Sequence, residues 1–138
     1  MPTPVVERSR SHRLAGPALG GAAAAATVAL VHVRDPHEPG SYGFCPFLEL
    51  TGRPCPGCGG LRAVNLFTHG DVAGAVGSNA LVLVLGGLLA GAWAFWTVRR
   101  WRGRPTPVVS DRTLLVVLVV ALAFGVVRNT PWGAGLAP

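Results

Sequence analysis

Three long apolar runs divide the chain, and polar segments separate them. Leu14 to Val31 is uncharged and alanine-rich. Ala80 to Val98 is uncharged and rich in leucine and valine, and Thr113 to Val127 is uncharged but only 15 residues long. A helix that crosses a bilayer needs about 20 residues at about 1.5 Å each. The first two runs meet that length. The third reaches about 22 Å by the same rise, and Arg112 and Arg128 at its ends are placed to snorkel to the two interfaces. The pattern predicts an all-α integral membrane protein with three transmembrane helices, over about 14–33, 72–98 and 110–128. These form a single membrane domain, 14–138, behind a disordered basic N-terminus, 1–13.

A different pattern fills 42–70. His32 to Tyr42 contains two prolines and no periodicity, as a loop does. Cys55-Pro56-Gly57-Cys58 follows, and proline at the second position with glycine at the third predicts a type II turn. Gly59 or Gly60 then opens a short helix ending near His69, with Gly70 as its stop and Asp71 as N-cap of the next helix. At 100° per residue Cys58, Arg62, Asn65 and His69 share a narrow sector, with Ala63, Val64 and Phe67 opposite. About ten residues cannot span, so this amphipathic or re-entrant helix is expected at the outer interface, its polar stripe toward water or the other helices. The second span extends back without charge to Val72 and takes in Asn79. Gly87 and Gly91 form a GxxxG pair suited to close helix approach. Tyr42, Phe44, Phe47 and Trp132 suit the outer headgroup level, Trp96 and Trp101 the inner.

Composition agrees with a membrane. Half the chain is apolar and 13% is charged, and the mean hydropathy is +0.45. The net charge of +6 comes from twelve arginines. They flank the apolar runs rather than forming one stripe, which argues against nucleic acid. Arg8, Arg10 and Arg13 precede the first run, and Arg99, Arg100, Arg102, Arg104 and Arg112 lie around the second loop. The positive-inside rule makes that side the cytoplasm and turns the cysteine loop outward from the cytoplasmic membrane. The first run also has the make-up of a signal peptide, with Ala-x-Ala sites around Ala22–Ala26. Those alanines lie inside the run rather than after it, which favours an uncleaved span.

The candidate chemistry is sulfur. Cys45, Cys55 and Cys58 are the three cysteines of the chain, spaced C-x9-C-x2-C. Three uses are open. They can be structural; Cys55 and Cys58 can form a reversible disulfide with Cys45 as resolving thiol; or all three can ligate zinc or another thiophilic metal, with His37 or His32 as a fourth ligand. Arg62, Asn65, Asp71, Asn79 and Arg128 are candidate polar support. Asp71 is first a cap and second a partner for Arg62 across the break at Gly70. Arg128 reads first as a snorkelling arginine at the end of the third span.

The segment Gly43-Phe-Cys-Pro-Phe…Leu50-Thr-Gly-Arg-Pro-Cys-Pro-Gly-Cys-Gly-Gly-Leu-Arg-Ala63, with Gly70-Asp71, Ala75…Asn79 and Arg128-Asn129…Pro131-Trp132, resembles a bacterial family of small membrane proteins. That family is known as a domain of unknown function, family 2752, with the pattern CPxxxxTGxxCPGCGxxRA. Ala80 stands where the family often has proline after the asparagine. The resemblance implies a multi-span membrane protein and weight on Cys45, Cys55, Cys58, Arg62, Asp71 and Asn79. It implies no activity, substrate or cofactor.

No general base, nucleophile pair or phosphate loop is visible, which points away from an enzyme. The reading is a non-enzymatic membrane component or small subunit with a cysteine-stabilised outward loop. Its expected partners are the bilayer and a membrane protein or a second copy. The alternative is a thiol redox or metal-binding membrane protein using Cys55 and Cys58 with Cys45.

Overall fold

The computed structural model describes residues 10–38, 41–106 and 108–136. In chain order these form α1 (Arg10–Val33), α2 (Pro46–Thr51), α3 (Gly60–Thr68), α4 (Val72–Trp101), α5 (Asp111–Val127) and a closing 3-10 turn (Pro131–Leu136). The described residues contain no strand. Most of the stretch expected to be disordered, residues 1–9, lies outside the described residues. Arg10 to Arg13 already belong to α1.

Two helical segments, Ser11–Val33 and Val72–Trp101, are long and apolar enough to cross a membrane. Only 11% and 6% of their most apolar windows is buried, so the fold itself does not cover them. The third apolar run is also helical, but α5 has 17 residues, or about 26 Å. Two helices rather than three therefore reach spanning length. The leucines and valines of α5 stay open, with Leu114 60%, Leu118 55% and Leu122 57% exposed.

α1 and α4 pack side by side. The Trp93 indole N–H donates to the Pro17 carbonyl at 3.0 Å. Its ring lies against Gly21, where a Cβ would come within 2.7 Å. The close approach thus uses a glycine of α1. The expected GxxxG pair of α4 is not used among the described residues, since a Cβ at Gly87 or Gly91 would meet nothing within 4 Å.

α4 is not the continuous helix expected from its uncharged sequence. Asn79 has φ −166° and ψ 91°, extended values inside a helix. Its side-chain Oδ1 accepts from the Val82 N–H at 3.0 Å, as an N-cap residue does. The helix ends and restarts there. The stretch after Asn79 runs on to Trp101, about 33 Å.

The interior is small and concentrated at one end of the helices. Among the described residues Val31, Ala63 and Ala75 are its buried apolar side chains, and Pro17 is buried apart from them beside Trp93. Beside the first three, Asn65 (7% exposed), Asn79 (0%) and Arg128 (2%) are buried polar side chains. Burying an amide or guanidinium calls for hydrogen bonds; those made by these three side chains define the site, and of their buried nitrogens the Arg128 Nε has no partner among the described residues.

Candidate metal centre

Cys45 stands immediately before α2, with Pro46 at the first helical position, where the missing N–H costs nothing. α2 closes on Gly52, whose N–H reaches the Leu48 carbonyl at 2.8 Å. One short helix therefore carries the chain out from Cys45 and back to Cys55. Sequence reasoning missed it; the Cys-Pro start and Thr-Gly stop were its signal.

The turn itself differs from expectation. Cys58 N–H bonds the Cys55 carbonyl at 3.1 Å, and Gly60 N–H bonds the Gly57 carbonyl at 3.0 Å, so two turns overlap. Gly59 carries the left-handed conformation, at φ 77° and ψ 0°, and Gly57 has no positive φ. The type II signature thus belongs to 57–60 rather than 55–58. Gly59 then leads into α3, and the Ala63 N–H closes its first bond on the Gly59 carbonyl at 2.9 Å.

These turns bring the three thiols together. Sγ of Cys45 lies 3.6 Å from Sγ of Cys55, which lies 3.1 Å from Sγ of Cys58. All three sulfurs fall within 4.8 Å of one another, and the thiols are free. Tetrahedral zinc with Zn–S bonds of about 2.3 Å sets its sulfurs about 3.8 Å apart. The two contacts at 3.6 and 3.1 Å are somewhat shorter than that, so a small outward movement of the sulfurs fits Cys45, Cys55 and Cys58 to one thiophilic cation, for which their softness suits them.

The carbonyls behind the sulfurs are tied down from outside the turn. Asn79 Nδ2 donates to Pro56 O at 2.9 Å and Cys58 O at 3.0 Å. Arg128 Nη1 donates to Cys55 O at 3.0 Å and Cys58 O at 2.9 Å, and Nη2 reaches Ser78 O at 3.4 Å. Asn129 Nδ2 donates to Pro54 O at 3.0 Å. Pro56 also packs on Gly125, where a Cβ would lie 2.7 Å from the proline ring. Arg128 is therefore no snorkelling arginine: it turns inward and adds a charged donor to the carbonyls of Cys55, Cys58 and Ser78, where the cysteine turn meets the break in α4. Asn129, which sequence reasoning left unassigned, joins it. The only sequence signal was an adjacent polar pair ending an apolar run.

The thiols are electrostatically unequal. The Leu48 amide at the start of α2 faces Cys45, without closing a cap hydrogen bond, and holds that thiol below its ordinary range. Burial, reinforced by hydrogen bonds to the other two cysteines, pushes Cys58 up to about 12.

The remaining candidates spread around this centre. Asn65 donates to Val31 O at 2.8 Å and His32 O at 3.3 Å, fastening α3 to the end of α1. Asp71 caps α4 through the Gly74 N–H at 2.8 Å. It does not pair with Arg62, whose Nε instead donates to Pro36 O at 3.4 Å. Neither His32, which lies in the last turn of α1 rather than in the loop, nor His37 joins the sulfurs. His32 bonds Thr68 Oγ1 at 3.0 Å and stacks on His69 at 4.1 Å, while His37 bonds Asp35 at 2.7 Å. A cavity of about 460 Å³ opens beside the centre, with Cys45, Cys58, Arg62, Glu38 and Tyr42 among its walls.

Fold and site together define a helical protein with two helices of membrane-spanning length and a three-thiol turn at one end. Residues 45–93 match the family model described as "Protein of unknown function (DUF2752)". The matched stretch begins at the first cysteine and takes in the turn, α3 and most of α4. No curated protein and no solved structure matches the chain.

Proposed function

We propose that this chain is a metal-binding integral membrane protein of the bacterial cytoplasmic membrane. Its three cysteines hold one thiophilic cation, zinc foremost, at the outer face. The carrying observation is the trio of sulfurs within 4.8 Å, braced through its own carbonyls by Asn79, Arg128 and Asn129. Three thiolates around a divalent ion leave one net negative charge, and the buried Arg128 guanidinium supplies the opposite one beside them. The ion serves to fasten α2, the turn and α3, as a non-enzymatic component needs. Such closure is of most use in a fold with so small an apolar core.

Three helices cross in this reading: α1, α4 beyond Asn79, and α5. In support, α5 ends against the cysteine turn through Gly125 and Arg128, and it begins after the arginine-rich loop at the far end of α4. Its length of about 26 Å calls for modest local thinning of the bilayer. The arginine count supports a topology with the N-terminus inside and the cysteine turn outside. A membrane protein partner or a second copy then covers part of the exposed helix faces.

The test is elemental analysis of the full chain purified in detergent. One zinc per chain is expected, falling to none in Cys55→Ser; a chain that keeps three free thiols and takes up no metal contradicts the proposal. The 3.1 Å contact between Cys55 and Cys58 favours one second reading, a reversible disulfide. Under it, alkylation before reduction labels Cys45 alone, and metal is absent.

A further inference from the structure

A tetrahedral cation on three cysteines has a fourth position to fill. Among the described residues no histidine, aspartate or glutamate lies with the three sulfurs. Cys45, Cys58 and Arg62 all line the cavity of about 460 Å³. That volume is within the range of small-ligand sites. Arg62 enters from the first turn of α3, and its Nε is held by the Pro36 carbonyl at 3.4 Å. Its two terminal nitrogens make no hydrogen bond among the described residues, and it forms no ion pair with Glu38 on the same wall. Tyr42, Leu48 and Leu61 add apolar surface to the same walls.

The cavity walls thus offer both a soft position and a guanidinium whose two terminal nitrogens are open among the described residues. We infer that it binds a small thiol carrying a carboxylate. The ligand's sulfur completes the four-sulfur coordination and its carboxylate pairs with Arg62. This rests on the metal reading above. On binding, the thiol would give its proton to solvent and its sulfur would replace a water at the fourth position, that water leaving to solvent; no electron changes hands. A fourth thiolate suits a centre that already has three, and the Arg62 pair distinguishes a thiol acid from a thiol alone.

The experiment uses the full chain in detergent, loaded with cobalt(II), whose visible spectrum reports its ligands. The spectrum is recorded first without additive. Absence of thiolate-to-cobalt absorption there sinks the metal reading and this inference with it. With that absorption present, mercaptoacetate, mercaptoethanol and acetate are titrated in turn. Mercaptoacetate is expected to change the spectrum and to bind about tenfold tighter than mercaptoethanol, the size of one charge-assisted hydrogen bond in an open site. Arg62→Gln, loaded to the same starting spectrum, is expected to lose that preference. Equal affinity for the two thiols, an unchanged spectrum, cobalt stripped from the protein, or a preference that survives Arg62→Gln overturns the inference. Should Arg62→Gln fail to load, the wild-type comparison of the two thiols decides alone.

Discussion

Arg128 Nη1 reaches the carbonyl oxygen of Cys58 at 2.9 Å across 70 residues of chain, and the same nitrogen takes the Cys55 carbonyl at 3.0 Å. One guanidinium from the end of α5 thus spans both ends of the Cys55–Cys58 turn. Arg128→Met removes one donor from each of those carbonyls, which keep the Cys58 N–H and Asn79 Nδ2, and takes the guanidinium from Ser78 O, at a cost of about 1–3 kcal/mol. Denaturant unfolding in detergent should register that loss together with lower metal occupancy. Arg128→Lys should recover only part, because an ammonium lacks the planar fork. Full recovery by lysine would mean that charge alone matters.

Asn79 acts through both ends of its amide. Its Oδ1 caps the restarted helix at Val82, and its Nδ2 holds Pro56 and Cys58. Asn79→Ala should cost about 2–4 kcal/mol. Asn79→Asp keeps the cap acceptor but loses both donations and buries a charge, so it should be no better than alanine in a thermal melt. Wild-type stability in Asn79→Asp would show that the turn does not depend on those donations.

Small volume is required where Pro56 rests on α5. A Cβ at Gly125 would lie 2.7 Å from the proline ring, whereas one at Gly91 meets nothing. Gly125→Ala should destabilise by about 1–3 kcal/mol through overpacking. Gly91→Ala should stay within about 0.5 kcal/mol. Paired denaturation curves check the contrast, and equal curves would refute it.

The thiols should titrate in a fixed order in the metal-free protein. Cys45 is lowered by the Leu48 amide, so its thiolate forms first. Cys58 rises from an ordinary 9.0 to about 12. A raised thiol favours the fold while protonated, so its contribution is fully present below pH 9 and fades as pH climbs toward 12. The lowered Cys45 works the other way, its contribution present above the ordinary value and lost as pH falls through its folded value. Isotope-coded alkylation near pH 8 should therefore mark Cys45 before Cys58, and bound metal should protect both. Faster labelling of Cys58 would reverse the assigned order.

Local features of this fold were legible in the sequence. The Cys-Pro-Gly-Cys turn, the helix after Gly59 and the Asp71 cap depend on neighbours within a few residues, and the structure has each of them. The two long helices followed from uninterrupted apolar length. What stayed hidden depends on distant partners. A continuous uncharged run gives no hint that α4 breaks at Asn79, because the compensation lies in the carbonyls of Pro56 and Cys58, more than twenty residues away. An arginine at the end of an apolar run reads as snorkelling until those carbonyls are in view. The Gly57 turn was misassigned for a different reason: several glycines follow one another, and the pattern alone does not say which takes the left-handed conformation.

The central claim is that Cys45, Cys55 and Cys58 share one cation. X-ray absorption at the zinc edge of the purified, zinc-loaded chain tests it most directly. Three sulfur neighbours at about 2.3 Å from this protein, with any fourth supplied from outside the chain, are the predicted result. A shell of nitrogen and oxygen with no sulfur, or with a single sulfur, would contradict the account.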